Sequence, residues 1–373
     1  MKNKINNYDF LIVGGGLIGQ LTALSLKKRK FRVLVIEKEK NFKQDYRTLA
    51  VNANSRDFLI GLGLWDKLKQ QSAKLQEIVI KDYINKDPLI FNDPNESLGS
   101  VIFNRDLITQ TNDILLKSNS IIYNSNLQIQ LLDPKKIINI NNNKFRFKKI
   151  ILSVGKSIVS DRNFKKYSFT THHNSYVGFI SHKNNHNNKA YEIFTKQGPL
   201  ALLPAPSKNG KKSTFIFSTS INVTEEVILN LLKKNFLQTH GNITLQNKIF
   251  SYAVSPHLTR PNQHMHILVG DALRSIHPVA GQGWNLGVKD IQKLEEILSI
   301  YGIDNNNFNI LYASSRIIES ITYLFFTNLI NRVYEENNQI SKLIIELGFQ
   351  SLKNFKLIQR LFVKQAMGRL KLI

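Results

Sequence analysis

Cysteine is absent from the 373 residues of this chain, and acidic residues are scarce beside basic ones. Without cysteine, disulfide bonds, thiol catalysis and metal sites built from thiolates are excluded. No apolar run reaches the roughly 18 residues that a membrane-spanning helix requires, and the start MKNKINNYDF lacks the apolar stretch of a signal peptide. We therefore expect a cytoplasmic protein, long enough for two domains and a sizeable core.

The shortage of acids leaves a strongly basic chain. Lysine and arginine total 51 against 27 aspartates and glutamates, a net charge of +24. Lysine, asparagine and isoleucine are abundant throughout, a bias that an AT-rich genome produces, and most of the charge is then solvated surface lysine. The alternative is contact with an anionic membrane surface or an acidic ligand. Nucleic acid is not expected as a partner, because no recognised binding motif accompanies the lysines.

A glycine-rich segment follows the first predicted strand, YDFLIV. Gly14, Gly16 and Gly19 match the pattern G-x-G-x-x-G, and Glu37 ends the next predicted strand, 18 residues after Gly19 (37 − 19). This order of strand, glycines, helix and acid is typical of a dinucleotide site. Gly14 allows the tight turn, Gly16 the approach of a pyrophosphate, and Gly19 close packing of helix on strand. A carboxylate at Glu37 suits ribose hydroxyls and favours FAD or NAD over NADP, while a βαβ unit without nucleotide is the alternative.

A second glycine cluster lies in the segment 266–287, HILVGDALRSIHPVAGQGWNLG. Its pattern predicts a strand that ends at Gly270-Asp271, then a loop, then a helix that begins beside Gly281 and Gly283. Asp271 is placed to accept hydrogen bonds from sugar-like hydroxyls. The glycines leave bare N–H groups at the positive end of the helix dipole, where a ligand can approach. The alternative is an ordinary strand–loop–helix connection.

Four side chains outside the glycine clusters are further candidates. Arg47 precedes an apolar segment and is either a surface residue or a contact to a phosphate or ring. Arg105 lies near the start of a helix predicted from Val101 to about Lys117, where the helix dipole disfavours a cation, so a nearby anionic or polar ligand is expected. His182 and His186 have a spacing typical of metal ligands, but no acidic third ligand accompanies them and no metal site is expected.

Changes in the hydrophobic period divide the chain into three parts. An α/β Rossmann-like nucleotide domain is interrupted by strand-type alternation, which predicts an inserted β-sheet domain, and the C-terminal part is helical. The predicted boundaries are 1–74, 100–165 and 262–311 for the first domain, 75–99 and 166–261 for the inserted sheet, and 312–373 for the helical segment. The strands predicted in the second part of the first domain are 121–123, 127–132, 137–140, 145–147 and 149–154.

The C-terminal run from Leu352 to Lys371 has the pattern of one basic amphipathic helix. Its basic stripe consists of Lys353, Lys356, Arg360, Lys364 and Lys371, and its apolar side of Phe355, Ile358, Phe362, Ala366 and Leu370. Two interpretations remain open. The helix either packs on the core with its lysines outward, or lies in the interface of an anionic bilayer.

Together, the motifs GGGLIG, GPLALLP and LVGDALRSIHPVAGQGWNLGVKD resemble the flavin-dependent aromatic hydroxylases of ubiquinone biosynthesis. These are the UbiH-type members of the para-hydroxybenzoate hydroxylase fold, which are class A flavoprotein monooxygenases. The resemblance extends along nearly the whole chain, through RTLAVNANS, FNRDL and KQAMG. It implies a GR2-type FAD-binding domain with an inserted substrate sheet. The residues implied to hold FAD are Gly14, Gly16, Gly19, Glu37, Arg47, Arg105, Gly270, Asp271, Gly281, Gln282, Gly283 and Asn285.

The resemblance also implies a reaction. NAD(P)H reduces FAD, O2 adds to give a flavin hydroperoxide, and one oxygen passes to the ring of a polyprenylated phenol such as 2-polyprenyl-6-methoxyphenol. A dry pocket is needed so that the hydroperoxide does not collapse. Pro199 and Leu202 of GPLALLP are candidates for the substrate wall, and His277 and Pro278 are catalytic candidates, with a structural role at the helix entry as the alternative for His277. A membrane-borne substrate implies peripheral association with the inner face of the cytoplasmic membrane.

One motif departs from the family pattern. The family carries D-G-x-x-S after the strand at 149–154, whereas this chain has Val154-Gly155-Lys156-Ser157-Ile158. In the family this motif is linked to the FAD pyrophosphate and to NADPH handling, so the departure bears on the reductive half-reaction. It keeps two alternatives open: a flavin-dependent isoprenoid reductase, and a non-catalytic member that acts as a scaffold in a quinone-biosynthesis complex.

Overall fold

The structure, a computed structural model, describes residues 5–38, 47–124, 132–133, 137–140, 142–162, 164–169, 173–260, 266–278, 281–336 and 338–370, without the side chain of Asn247. The strand predicted at 127–132 lies outside these residues except for Leu132. Lys371 of the predicted basic stripe lies outside them as well.

The strands, in chain order, are β1 (Ile5–Val13), β2 (Val33–Glu37), β3 (Thr48–Asn52), β4 (Ala73–Leu75), β5 (Glu77–Asp82), β6 (Leu89–Asn92), β7 (Gly99–Phe103), β8 (Ile121–Tyr123), β9 (Ile138–Ile140), β10 (Asn143–Leu152), β11 (Lys166–Ser168), β12 (Asn174–His182), β13 (Lys189–Thr195), β14 (Gly198–Pro204), β15 (Lys212–Thr219), β16 (Ile243–Ala253), β17 (His257–Thr259), β18 (His266–Leu268) and β19 (Arg274–Ser275). The helices are α1 (Leu17–Lys28), α2 (Ala53–Gly61), α3 (Trp65–Lys69), α4 (Asn104–Lys117), α5 (Glu225–His240), α6 (Gly283–Tyr301), α7 (Phe308–Glu336), α8 (Gln339–Asn354) and α9 (Lys356–Ala366). These elements confirm the α/β class predicted from the sequence.

A parallel sheet in the order β18–β10–β1–β2–β8 carries the glycine-rich loop at its edge. Its central strand is apolar on both faces, as parallel sheets covered on both sides require. Phe10 and Ile12 of β1 join a core cluster with Leu294 of α6, whereas Leu11 and Val13 join a second cluster. Short β9 adds an antiparallel ladder to the first part of β10.

Two predictions for local structure are corrected here. The strands predicted at 145–147 and 149–154 form one continuous strand, β10, because β1 pairs with it from Lys144 to Leu152. The helix predicted from Val101 begins only at Asn104, since the residues before it belong to β7. β7 lies between β3 and β4, and ladders on both sides hold it extended.

A second, seven-stranded sheet has the order β16–β12–β15–β14–β13–β5–β6, and its strands lie within 75–99 and 166–261. Helix α5 packs on one face, where Leu232 and Phe236 contact the cluster that contains Leu200. The other face is turned toward the C-terminal helices. The sheet therefore separates helix α5 on one face from a cavity on the other face.

In its described residues the C-terminal segment is helical, as predicted, and contains α7, α8 and α9. The single helix predicted from Leu352 to Lys371 is wrong, because α8 ends at Asn354 and α9 covers only Lys356–Ala366. Phe355 has extended backbone (φ −103°, ψ 100°) and separates α8 from α9. After the break, the ring of Phe362 on α9 lies tilted against that of Phe91 on β6, with ring centroids 4.3 Å apart, and Val363 is buried. The turn after α9 is fastened by the N–H of Asn54, which donates to the carbonyl of Met367 at 3.0 Å. Among the described residues, no helix is both long enough and apolar enough to cross a membrane.

Candidate functional site: a dinucleotide cradle and an apolar cavity

The turn after β1 requires glycine at two of the predicted positions. Gly14 has φ +98°, and a Cβ there would lie 2.4 Å from the carbonyl oxygen of Ser153. A Cβ on Gly19 would lie 2.0 Å from the carbonyl oxygen of Gly14. Because both contacts are to backbone, no side-chain rearrangement relieves them. These glycines bring α1 against β1, as the sequence pattern predicts.

Gly16 has a different environment, which fits a ligand. A Cβ on this residue would meet no protein atom within 4 Å, so the space in front of the loop is open. Gly16 is also the N-cap of α1, where no side chain caps the helix and no acid lies in the first turn. The N–H groups and the positive dipole end therefore face that space, an arrangement that suits a pyrophosphate. Contact of Gly16 with the cofactor stays a prediction.

Glu37 at the end of β2 is joined to this loop. Its Oε2 accepts the N–H of Gly15 at 2.5 Å, and its Oε1 accepts the N–H of Lys38 at 2.6 Å. The carboxylate is thus held at the rim of the cradle before any ligand arrives. An adenosine ribose fits this position because its hydroxyls donate to a carboxylate, which matches the prediction of FAD.

The second loop supplies Gly270 and Asp271. Gly270 has φ +61° and donates its N–H to Oδ2 of Asp290 at 2.9 Å. Burial raises the pKa of Asp271, an effect that Lys156 and other cations nearby partly offset. A buried carboxyl of this kind needs hydrogen-bond partners. The ribityl hydroxyls of FAD are donors of the right chemistry for it.

Asp290, beneath this loop, is a residue that the motif analysis missed. It is fully buried and pairs with Arg274 at 2.9 Å and with Arg316 of α7 at 2.7 Å. Arg316 also pairs with Glu319, which Lys289 contacts at 3.0 Å. Asp290 therefore ties the Gly270 loop to α7. The available signal was an acid at a core-facing position of an amphipathic helix.

The glycine cluster before α6 closes a turn against β3. Gly281 has φ +59° and donates its N–H to the carbonyl of Pro278 at 3.4 Å. Gln282 is the N-cap of α6, Gly283 is its first residue, and the first turn has no acid. The dipole end of α6 is therefore free to favour negative charge on a ligand.

Asn285 connects this helix to β3. Its Nδ2 donates to the carbonyl of Ala50 at 2.8 Å, and its Oδ1 accepts the N–H of Asn52 at 3.1 Å. The side chain is thus used to hold backbone in place. Direct contact of Asn285 with FAD stays a prediction.

The two candidate arginines differ in their surroundings. The guanidinium of Arg47 lies 5.6 Å from the centroid of the Tyr252 ring and is one of the cations that act on Asp271. Arg105 is more than half exposed, pairs with Asp106 at 3.3 Å and lies over the ring of Phe103. Asp106 explains how the start of α4 accommodates a cation. Contact of Arg105 with a cofactor stays a prediction.

His277 lies in the loop between the Asp271 turn and Gly281 and is fully buried. Its Nε2 is 3.0 Å from Nδ1 of His173, and Nε2 of His173 contacts the half-exposed carboxylate of Glu335 on α7. Burial and the neighbouring His173 lower the pKa of His277 to about 3, so the ring is neutral at pH 7. Nδ1 of His277 has no hydrogen-bond partner among the described residues. The chain of three groups connects the loop to the surface, and motif analysis gave no signal for His173 or Glu335.

The segment that differs from the family motif D-G-x-x-S forms a short 3₁₀ turn after β10. Gly155 has φ +59°, and Ile158 is buried in a core cluster that also contains Leu258. Lys156 extends from this turn and is one of the cations near Asp271. The position of the family serine is therefore part of the hydrophobic core in this chain.

A cavity of about 740 Å³ begins at the glycine cluster and extends between the inserted sheet and the C-terminal helices. Ala50 and Gly281 line one end, the sheet contributes Ala201 and Leu203, and the far walls belong to α7, α8 and α9. Most of the lining side chains are apolar. The cavity is large enough for an aromatic ring with an apolar chain attached.

The two predicted wall residues do not line this cavity, and Leu202 needs a correction. It is 1% exposed and packs on the opposite face of the sheet, under α5, because side chains alternate along β14. The wall is formed instead by Ala201 and Leu203. Pro199 is buried on the same strand face as those two residues, but does not border the cavity.

His182 and His186 belong to a buried histidine cluster with His240. Nδ1 of His182 contacts the carbonyl of Asn184 at 2.7 Å, and its Nε2 contacts Oγ of Ser213 at 2.9 Å. Both ring nitrogens are thus used within the protein. Within the described part of the chain, no group of three or more potential ligands is arranged to hold a metal ion.

Known proteins are similar to this chain over nearly its whole length. The pattern of the FAD binding domain family matches residues 7–110 and 156–301. Ubiquinone hydroxylase UbiL of Rhodospirillum rubrum is 25% identical, over 98% of this chain and 90% of UbiL. The 3-demethoxyubiquinol 3-hydroxylase of Escherichia coli is 22% identical, over 96% of this chain and 98% of that enzyme.

The fold is also that of a solved monooxygenase. p-Nitrophenol 4-monooxygenase PnpA from Pseudomonas putida superposes with a TM-score of 0.74 at 15% identity, over 97% of this chain and 99% of PnpA. These findings confirm the resemblance inferred from the sequence motifs. The open cradle at Gly16, the carboxylates of Glu37 and Asp271 and the family match agree, and the chain belongs to the FAD binding domain family, with FAD as its cofactor.

Proposed function

We propose that this protein is an FAD-dependent monooxygenase that hydroxylates the aromatic ring of a polyprenylated phenol in ubiquinone biosynthesis. NAD(P)H and O2 are its co-substrates, and 2-polyprenyl-6-methoxyphenol represents the substrate class. The observation that carries the proposal is the apolar cavity, which extends from the glycine cluster at Gly281 to the C-terminal helices. The names of the relatives, ubiquinone hydroxylase UbiL and 3-demethoxyubiquinol 3-hydroxylase, support the same pathway.

The cavity provides two environments for such a substrate. At the glycine cluster it is bordered by backbone and by polar side chains such as Asn52 and Gln282, which suits a hydroxylated ring. Toward α8 and α9 it is bordered by Ile345, Phe349 and Phe362, which suit an isoprenoid chain. Binding the chain would hold the ring at the cofactor end by the same apolar contacts that expel water.

The residues around FAD have separate tasks. When bound and reduced by NAD(P)H, FAD supplies the electrons that activate O2. Gly16 and the N-terminus of α1 bind the pyrophosphate, while Glu37 and Asp271 bind hydroxyls of the adenosine ribose and the ribityl chain. The N-terminus of α6 favours negative charge on the ring system. The apolar wall excludes water from the reacting atoms.

His277 is placed to move a proton. Its neutral ring has an unpartnered Nδ1 among the described residues, and Nε2 leads through His173 to Glu335. A proton accepted at Nδ1 can therefore leave from Nε2 and reach the carboxylate at the surface. His277 does not line the cavity, so the path is proposed as a proton relay behind the site and not as a contact to the substrate.

Two further features of the proposal concern location. A polyprenylated phenol resides in a bilayer, so the protein is proposed to associate peripherally with the inner face of the cytoplasmic membrane. Participation in a ubiquinone-biosynthesis complex is part of the same proposal. The lysine-rich C-terminal segment supports contact with an anionic surface.

A scaffold without catalysis is the second candidate, and one observation favours it. The departing motif places Val154 and Ile158 in or against the core, where the family has polar side chains. The intact cradle at Gly14, Gly16 and Glu37 favours the enzyme instead. The variant Val154→Asp tests whether the difference from the family motif matters for reduction of FAD. Unchanged NADPH oxidation would show that position 154 does not limit this step.

The visible absorption spectrum of the purified protein is the first test. An oxidised-flavin spectrum with FAD released on denaturation is expected, followed by NAD(P)H oxidation that a prenylated phenol stimulates and that yields a hydroxylated ring. A colourless protein that cannot be reconstituted with FAD would contradict the proposal and favour the scaffold. Flavin reduction without oxygen incorporation would favour an isoprenoid reductase.

A further inference from the structure

The three C-terminal helices expose large apolar side chains in stripes. We call this surface the C-terminal apolar face and define it by its most exposed members, which are 55–72% exposed: Ile318 and Phe325 on α7, Ile340 and Leu343 on α8, Phe355, and Leu357 on α9. Within α7 and α8 these residues recur at helical spacing, so each helix presents one stripe. Contiguous exposed apolar area on this scale marks an interaction surface.

The cavity opens through this face. Five exposed apolar side chains also line the cavity: Phe326, Leu329, Ile344, Ile358 and Leu361. They come from all three helices, and α8 packs against both α7 and α9. The stripes therefore converge on one opening, with apolar surface inside it and around it.

The charge on α9 has one sign. No acidic residue follows Glu346 in the sequence. Lys356, Arg360 and Lys364 lie at i, i+4 and i+8 on α9, are exposed, and form no ion pair with the described residues. On a helix this basic row lies between Leu357 and Leu361 on one side and Val363, which packs on the core, on the other. An apolar stripe bordered by a row of cations is typical of a helix in the interface of an anionic bilayer.

A second copy of the chain fits this face less well. A two-fold dimer places the same surface on both partners, so the basic row of α9 would face itself in a chain of net charge +24. Anionic lipid offers the opposite charge to the row and hydrocarbon to the stripes. The same bilayer holds the polyprenylated phenol of the proposed function.

We propose that the C-terminal apolar face docks on an anionic lipid bilayer and that the substrate enters the cavity directly from the acyl phase, between α7, α8 and α9. The identity of the entering molecule rests on the proposed function, whereas the docking does not. In this arrangement the isoprenoid chain need not cross water on its way to the cavity. The ring, at the membrane surface, would enter toward Gly281.

Vesicle binding of the FAD-loaded, full-length protein tests the docking without reference to activity. Vesicles of phosphatidylcholine alone are compared with vesicles that also contain phosphatidylglycerol. The wild type is expected to bind the second kind more tightly, and Leu357→Glu to weaken that binding by at least about tenfold. Leu357 does not line the cavity. The matched control is Leu237→Glu on α5, which is 51% exposed on the far side of the inserted sheet and should bind as the wild type does.

Two further experiments test the contribution of charge and the route of substrate entry separately. Lys356→Gln with Arg360→Gln is expected to reduce binding to anionic vesicles and to leave binding to neutral ones unchanged. With a long-chain phenol embedded in anionic vesicles, Leu357→Glu should hydroxylate at least about tenfold more slowly, yet match the wild type on a short-chain phenol in solution.

Three outcomes would overturn the inference. The wild type fails to bind anionic vesicles, or both glutamate variants bind equally well, or ultracentrifugation shows a dimer that Leu357→Glu dissociates. Failure of the proposed function looks different. A protein that binds anionic vesicles through Leu357 but hydroxylates neither phenol retains the docking surface and loses the assigned reaction.

Discussion

The cradle for FAD and the wall of the cavity set different limits on their side chains. At the cradle, one added methyl group on Gly19 would lie 2.0 Å from a backbone oxygen. At the wall, Ala201 and Leu203 face open space, and neighbouring positions of the strand face a packed core. Backbone geometry thus fixes the cofactor end, while side-chain size fixes the substrate end. The first constraint can be predicted from the sequence, whereas the second depends on the packing of separate elements.

The charge cluster beneath the cradle gives the largest expected effect. Asp290→Asn leaves Arg274 and Arg316 buried without their common carboxylate, and should reduce the free energy of unfolding by about 3–5 kcal/mol. Denaturant unfolding measures this loss. The control in the same helix is Glu295→Gln, whose pair with partly exposed Arg29 should contribute less than about 1 kcal/mol. Equal effects of the two variants would show that the cradle does not depend on the buried cluster.

The cradle itself is tested by Gly19→Ala. The added Cβ meets the carbonyl of Gly14, so the variant should lose FAD during purification and about 2–3 kcal/mol of stability. Flavin absorbance per protein chain measures the first effect. Gly61→Ala is the control, because a Cβ there meets nothing within 4 Å and should stabilise α2 by about 0.5–1 kcal/mol. A Gly19→Ala protein that retains FAD would show that backbone geometry at Gly19 does not limit the cofactor site.

The far side of the inserted sheet should give a pH-dependent effect. Burial lowers the pKa of His186 and of His240 to about 4 in the folded protein, below the 6.5 of an unfolded histidine. Below pH 6.5 the unfolded chain binds more protons than the folded one, so stability is full above pH 6.5 and falls as the pH drops toward 4. Denaturant midpoints across this range measure the slope. His240→Phe, which also removes an unpartnered buried Nε2, should flatten it.

The cavity wall should respond with selectivity rather than stability. Leu203→Trp narrows the cavity and is expected to raise KM for a long-chain phenol by about tenfold, with little change for a short-chain one. Steady-state kinetics with the two substrates measure the difference. Leu202→Trp is the matched control, since it forces a ring into the packed core and should destabilise the protein instead. If Leu202→Trp changed the selectivity and Leu203→Trp the stability, Leu202 would be the residue that lines the cavity.

The cofactor end was predictable because its signals are local. Gly14, Gly19 and Glu37 follow directly from the order of strand, turn, helix and strand, and their geometry matches that order. The alternation of the inserted strands was equally visible, which is why the fold class was correct. In each case the pattern depends on residues close together in the chain.

The errors and omissions depend on contacts between distant segments. The face of β14 that meets the cavity is decided by the packing of α5, so alternation alone left Leu202 or Leu203 equally eligible. The break at Phe355 accompanies contacts of α9 with a distant strand, such as Phe362 with Phe91, which the helical pattern of the segment does not record. Asp290 and His173 acquire their partners from other elements, and no spacing in the sequence records these pairs.

The cavity between the inserted sheet and the C-terminal helices has a thermodynamic consequence. A ligand that binds only the folded protein adds its binding free energy to the stability of the fold, about 2.7 kcal/mol at a free concentration 100 times its Kd. Filling the cavity of about 740 Å³ would join the sheet to α7, α8 and α9 through the ligand. The amount of folded protein in a cell would then rise and fall with the concentration of the molecule that it binds.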